Sequence, residues 1–160
     1  MTSDARTLTH PPITLIVGLL CFGFFAGLVI VSNVYRNETT TWWTTAIFAG
    51  FALLSIPVVV DYFRVRHRLS DDGLAYRTLL TGTRKYLRWS DVRAVRYAPG
   101  MKWFRLETHS GDVARLSVML MGLPEFARLV LEHAPENAIE SRTRPVLQAT
   151  ADGHPPSVWA

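Results

Sequence analysis

Charge is missing over long stretches of this chain. No Asp, Glu, Lys or Arg occurs from Thr7 to Tyr35, nor from Thr39 to Val60. Charged residues make up 19% of the 160 and hydrophobic ones 49%, whereas a soluble domain runs near a quarter charged. That apolar content excludes a disordered chain. Cysteine is nearly absent, and the single Cys21 excludes a disulfide-stapled secreted scaffold. Lysine is scarce as well: Lys85 and Lys102 are the only two beside 15 arginines, a bias that fits a high-GC bacterial source.

The vocabulary of catalysis is also lacking. There is no G-x-S-x-G elbow, no G-x-x-x-x-G-K-[ST] phosphate loop and no G-x-G-x-x-G. His10, His67, His109, His133 and His154 are scattered without C-x-x-C or H-E-x-x-H spacing, which argues against zinc. Asp71 and Asp72 are adjacent carboxylates whose side chains diverge in a turn. His109 lies near Glu107, but a histidine at a hairpin end is the plainer reading. The expectation is therefore no catalytic residue, no cofactor and no metal site, with an enzyme acting on a membrane substrate as the remote alternative.

Against these absences stand two apolar runs. A helix needs roughly 20 apolar residues to cross a hydrocarbon core. Ile13 to Ser32 and Thr44 to Phe63 both meet that length, and Asp61 falls only at the end of the second. Pro57 is tolerated there because neighbours or a kink satisfy the freed carbonyl. The short link between the runs predicts an antiparallel transmembrane hairpin over 13–63, with spans at about 13–34 and 42–63. The first run is too long for a signal-peptide core and no A-x-A-like site follows it, so it is expected to be retained. Cys21 sits in this run as apolar filler.

Arg64, Arg66 and Arg68 follow the second run, while the link carries one Arg36 offset by Glu38. The positive-inside bias then places residues 1–12 and everything after the hairpin in the cytoplasm, at the bacterial inner membrane. Tyr35, Trp42 and Trp43 mark the outer interface and Tyr62 and Phe63 the inner one. The Asn37-Glu38-Thr39 sequon falls on the outer side. Gly23 and Gly27 form a G-x-x-x-G, and Ala46 with Gly50 repeats small-xxx-small. Packing within the hairpin is the first reading of these four and a homodimer face the second.

After Phe63 the pattern alternates. Ser70-Asp71-Asp72-Gly73 is a hairpin turn. Leu74 to Leu80 alternates, Thr81-Gly82-Thr83 turns, and Arg84 to Trp89 is a third strand. Trp89 to Val92 reads as a capped helical turn before the strand Arg93–Ala98. Lys102–Thr108 follows, with Phe104, Leu106 and Thr108 on one face, and then Val113–Val118 after a Ser-Gly-Asp turn. About six short strands so spaced predict an antiparallel sandwich or barrel. The period then becomes helical: Pro124 and Glu125 open a helix, Phe126, Leu129, Val130 and His133 share a face, and Pro135 closes it. The domain is therefore expected at 64–134, with 135–160 a flexible tail.

The runs RLSDDGLAYRT, RKYLRWSDVRAVRYAPGMKWFRLETHSGDVARLS and GLPEFARLVLEHA, in that order behind a two-helix hairpin, resemble the bacterial pleckstrin-homology-like (PH-like) domain. The turn Asp71-Asp72-Gly73, the element Trp89-Ser90-Asp91-Val92 and the turn at Gly111-Asp112 carry the resemblance. It implies an α+β fold, a small antiparallel sandwich closed by a C-terminal helix, without enzymatic activity.

Charge is split inside that domain. From Arg64 to Arg105 there are eleven Lys/Arg against three Asp, a net of +8, while Leu106 to the end nets −3. Arg64, Arg66, Arg68, Arg84, Lys85, Arg88, Arg93 and Arg96 are candidates for contact with anionic lipid headgroups, each worth about 1 kcal/mol near a charged leaflet. Alternation along solvated strands accounts for the same residues equally well. The loop 70–73 is short and acidic, which argues against an inositol-phosphate pocket there. The basic residues lack a nucleic-acid-binding fold, so nucleic acid is not expected as a partner. Trp103, out of phase with Phe104, and Met101 are candidates for a protein-partner patch, or else for a second apolar layer covered by Met119 to Met121. The chain is thus expected to present a PH-like domain at the inner membrane for protein interaction or self-association, with anionic-lipid sensing as the alternative.

Overall fold

The computed structural model describes residues 6–35, 41–77 and 83–157. The chain forms two compact units: Pro11–Arg64, and a second built from Met1–His10 together with Val65–Ala160.

In the first unit the apolar runs are helices α1 (Pro12–Val34) and α2 (Trp42–Arg64), both long and apolar enough to cross a membrane. They pack antiparallel. Near one end a Cβ on Gly18 would lie 3.0 Å from Val59. In the middle the rings of Phe25 and Phe51 stack 5.0 Å apart, with Ala52 and Ser55 buried. Toward the other end Asn33 Nδ2 donates to Thr45 Oγ1 at 3.2 Å. The small-residue motif is therefore not the seam. A Cβ on Gly23, Gly27 or Gly50 would meet nothing within 4 Å, and Ala46 is exposed. Close approach needs a small residue opposite a bulky one, and only Gly18 among these glycines stands opposite such a neighbour. Cys21 lies on the exposed side of α1 rather than between the helices. The sequon, with Arg36 and Glu38, lies outside the described residues.

The second unit holds two antiparallel sheets. The first has strand order β1 (Arg6–Thr9), β2 (Arg66–Ser70), β3 (Gly73–Arg77), β4 (Arg84–Arg88). The second has β5 (Val92–Ala98), β6 (Trp103–Thr108), β7 (Val113–Ser117). The helix α3 (Leu123–His133) closes them. Trp89, Phe104 and Phe126 fill the centre, with ring centroids 6.4 Å and 5.7 Å from Phe126. Leu69, Leu74, Leu87, Leu106 and Leu116 surround them. The Trp89–Asp91 segment is a 3-10 turn, and the Trp89 indole N–H donates to the Ser70 carbonyl at 3.0 Å, pinning the turn to the first sheet. The expected strand residues 78–80 and the turn 81–82 lie outside the described residues.

Two parts differ from the sequence expectation. Residues ahead of the hairpin are not a mere leader: Arg6–Thr9 pairs in register with β2, Leu8 opposite His67 and Thr9 opposite Arg66. Leu8 is fully buried, the Thr9 carbonyl accepts the Met121 N–H at 2.8 Å, and Arg6 is ion-paired with Glu125 of α3. Four residues beside an apolar run of helical length carry too little alternation to declare a strand on their own.

The stretch after Pro135 folds back on the domain. Val95 bridges to Ile139, Glu140 N–H donates to the Val95 carbonyl at 3.1 Å, and Tyr97 N–H donates to Thr143 Oγ1 at 2.9 Å. This segment satisfies the outer edge of β5, which would otherwise present unpaired backbone groups. A second helix, α4 (Arg144–Ala151), then buries Leu147 completely and receives a hydrogen bond from Arg128 to the Ala151 carbonyl. Pro145 falls in the first turn of this helix, where its missing N–H costs no hydrogen bond. His133, placed by periodicity on the apolar face of α3, is exposed.

Candidate functional site

Strand alternation sorts the basic residues onto distinct surfaces. In the first sheet Leu8, His67, Leu69, Leu74, Tyr76 and Leu87 face the core. The opposite face therefore carries Arg66 and Arg68 of β2, Arg77 of β3, and Arg84, Tyr86 and Arg88 of β4. Register places Arg77 directly across from Arg84, Ala75 between Arg68 and Tyr86, and Gly73 between Ser70 and Arg88. Strands about 4.8 Å apart, with same-face residues about 6.8 Å apart along each, set these guanidiniums on a two-dimensional grid. No acidic residue belongs to this face, and none of the five arginines makes an ion pair among the described residues. Like charges directly opposite each other cost stability. Tyr86, half exposed, shares a hydrogen bond with Ser70 Oγ at 3.3 Å.

Gly73 is required at the corner of this sheet. A Cβ there would sit 2.1 Å from the Leu87 carbonyl oxygen, so only glycine allows β3 to approach β4 at that point.

Lys85 does not belong to the arginine face. It points the other way and is ion-paired with Asp112 on the turn between β6 and β7, linking the two sheets. The Asp112 hydrogen bond and charge raise the Lys85 ammonium above its ordinary value, and the Lys85 hydrogen bond holds the Asp112 carboxyl below its own. Tyr76 beside them is raised, first by burial and then by Asp112.

Arg93 and Arg96 fall on the outer face of the second sheet. There Arg96, Arg105 and Arg115 form a row across all three strands. Glu107 lies beside the row, only 8% exposed, with Oε2 3.0 Å from Arg93 Nη2 and Oε1 2.9 Å from Arg105 Nε. The Arg93 hydrogen bond holds Glu107 below the usual carboxylate range against the opposing effect of burial, and the charges of Arg105 and Arg96 add to it. His109 takes no part in this cluster; its backbone N–H donates to the Asp91 carbonyl.

On the other side of the row Trp103 is half-buried, with the Arg115 guanidinium over its ring at 5.6 Å. Met101 and Met119 beside this end of the sheet are exposed. Arg115 thus stands over the Trp103 ring, while Met119 and Met121 are exposed and Leu120 between them is buried.

The eight residues singled out from sequence as one lipid surface accordingly divide. Arg66, Arg68, Arg84 and Arg88 share a face, Lys85 is turned to Asp112, Arg93 and Arg96 lie on the other sheet, and Arg64 ends α2. Sequence reasoning passed over Arg77, Arg105 and Arg115. Their signal was alternation within strands already delimited, since each is out of phase with the buried Tyr76, Leu106 and Leu116. Among the described residues no group of His, Cys, Asp and Glu is arranged to hold a metal.

Residues 64–136 match the model of a family described as the bacterial PH domain. No curated protein and no solved structure matches the chain. The match covers β2 to α3 and leaves out β1, which the structure nevertheless builds into the first sheet. Residues 64–136 are thus similar to the bacterial PH domain, and two helices long and apolar enough to cross a membrane precede them.

Proposed function

We propose that this protein is a membrane-anchored, non-catalytic PH domain whose first sheet engages the phosphates of anionic lipids. The observation that carries the reading is the outer face with Arg66, Arg68, Arg77, Arg84 and Arg88 and no carboxylate. Chain continuity supports it. Arg66 follows the last residue of α2 by two positions, a reach of about 7 Å, and Thr9 opposite it precedes α1 by three. Because α1 and α2 pack antiparallel, the two ends of the hairpin lie on one side. The arginine bias makes that side cytoplasmic. At about 1 kcal/mol for each basic residue near an anionic surface, five arginines supply roughly 5 kcal/mol, diminished by salt.

The test is arginine modification by phenylglyoxal on the full chain in nanodiscs. Discs containing phosphatidylglycerol should protect Arg66, Arg77 and Arg84 relative to discs of phosphatidylcholine, and added salt should remove the protection. Equal reactivity in both lipids at low salt overturns the reading.

A further inference from the structure

The second sheet presents a surface of a different kind, and we propose that it binds an acidic segment of a partner protein. The row Arg96, Arg105 and Arg115 holds three like charges in direct register across three strands. Glu107 is the counter-charge beside it, and its two oxygens are taken by Arg93 and Arg105. Arg96 and Arg115 make no ion pair among the described residues. A row of this kind is destabilising in the free protein, and carboxylates laid along it would relieve the repulsion with bidentate hydrogen bonds.

One end of the row is apolar. Trp103 lies under Arg115, and Met101 and Met119 beside it are 63% and 45% exposed. Tryptophan, arginine and methionine are the residues enriched in the cores of protein interfaces, and a half-buried tryptophan already held in place loses little freedom on binding. The occupant is therefore a segment that offers carboxylates to the guanidiniums and an apolar side chain to Trp103.

Charge argues against the other occupants. A second copy meeting this face by twofold symmetry would oppose one arginine row to another. The phosphates of a membrane or a nucleic acid find a denser and acid-free set of guanidiniums on the first sheet.

The experiment uses the full chain in phosphatidylcholine nanodiscs, so that anionic lipid is absent, and a short fluorescein-labelled peptide of alternating glutamate and leucine as probe. Anisotropy should report saturable binding that R96E with R115E weakens roughly tenfold or more, and W103A by a similar factor. The pair R77E with R84E, on the first sheet, should leave it unchanged. Melting curves identify a variant that has lost its fold, and R96Q with R115Q then serves as the milder substitution. Absence of peptide binding overturns the proposal. So does equal loss in the R77E/R84E pair, which would mean unspecific attraction, or stronger binding of a single-stranded oligonucleotide. None of these outcomes depends on whether the first sheet binds lipid.

Discussion

The N-terminal strand should be indispensable to a domain whose family match begins only at residue 64. Thr9 and Arg66 are direct partners, so the 54 residues of the hairpin unit between His10 and Val65 can be replaced by a two-residue Asn-Gly turn that suits antiparallel strands. The product should be a soluble, cooperatively folding domain. Leu8 is fully buried, and its Cδ2 lies 3.1 Å from where a Cβ on Gly122 would stand. Truncating such a leucine to alanine costs about 2–5 kcal/mol from lost transfer energy and the remaining cavity. For a domain of this size each kcal/mol lowers Tm by roughly 4–8 °C, so Leu8→Ala should lower it by about 10 °C or more. Removing residues 1–10 altogether also takes away the Thr9–Met121 hydrogen bond, the Arg6–Glu125 pair and the whole β1–β2 ladder. That protein should fail to give a cooperative transition. Differential scanning calorimetry on the three proteins decides the matter. Identical melting with and without β1 would refute the reasoning.

Two further outcomes follow from the same packing. Gly73→Ala drives a Cβ into the Leu87 carbonyl, which is backbone and cannot swing away, so β3 and β4 must part; circular dichroism melting should show loss of the folded domain or a Tm drop larger than that of Leu8→Ala. In the Lys85–Asp112 link the Asp112 carboxyl is held low, so its contribution is present above the ordinary value of 3.8 and disappears as pH falls through the folded value. Lys85 is raised, so its share is complete below 10.5 and disappears as pH rises through its folded value. The Tm difference between wild type and Asp112→Asn should accordingly stay level through neutral pH and shrink at both extremes; a difference that grows on acidification contradicts this assignment.

The fold was legible wherever a period was long enough to declare itself. Charge-free runs of helical length fixed α1 and α2, and Phe126, Leu129 and Val130 fixed α3. The alternation of Phe104, Leu106 and Thr108 placed β6, and Trp89 to Asp91 was recognised as a turn. The misses have physical reasons. β1 is four residues whose partner lies beyond the entire hairpin, so no local pattern marks it. The α4 stripe of Val146, Leu147, Thr150 and Ala151 is weakly apolar, and Pro145 disguised its start. The glycines that fit a packing motif were not the glycine that packs, because composition does not say which residue stands opposite.

The surfaces were legible as charge but not as faces. A net of +8 between Arg64 and Arg105 gives no hint that Lys85 turns away to Asp112 while Arg77 joins the arginines around it. Only register, pairing Arg77 with Arg84 and Arg96 with Arg105, separates an acid-free surface from one that carries Glu107 and Trp103.

The central claim is that anionic lipid is bound by the outer face of the first sheet and not by the net charge of the domain. Binding of the hairpin-replaced domain to phosphatidylglycerol vesicles, followed as salt is raised, tests it most directly. The wild type and R96E/R115E should bind alike at low salt and release steeply as salt increases, while R77E/R84E should not bind. Equal loss in the two charge-reversed pairs, or no binding by the wild type at low salt, would contradict the account.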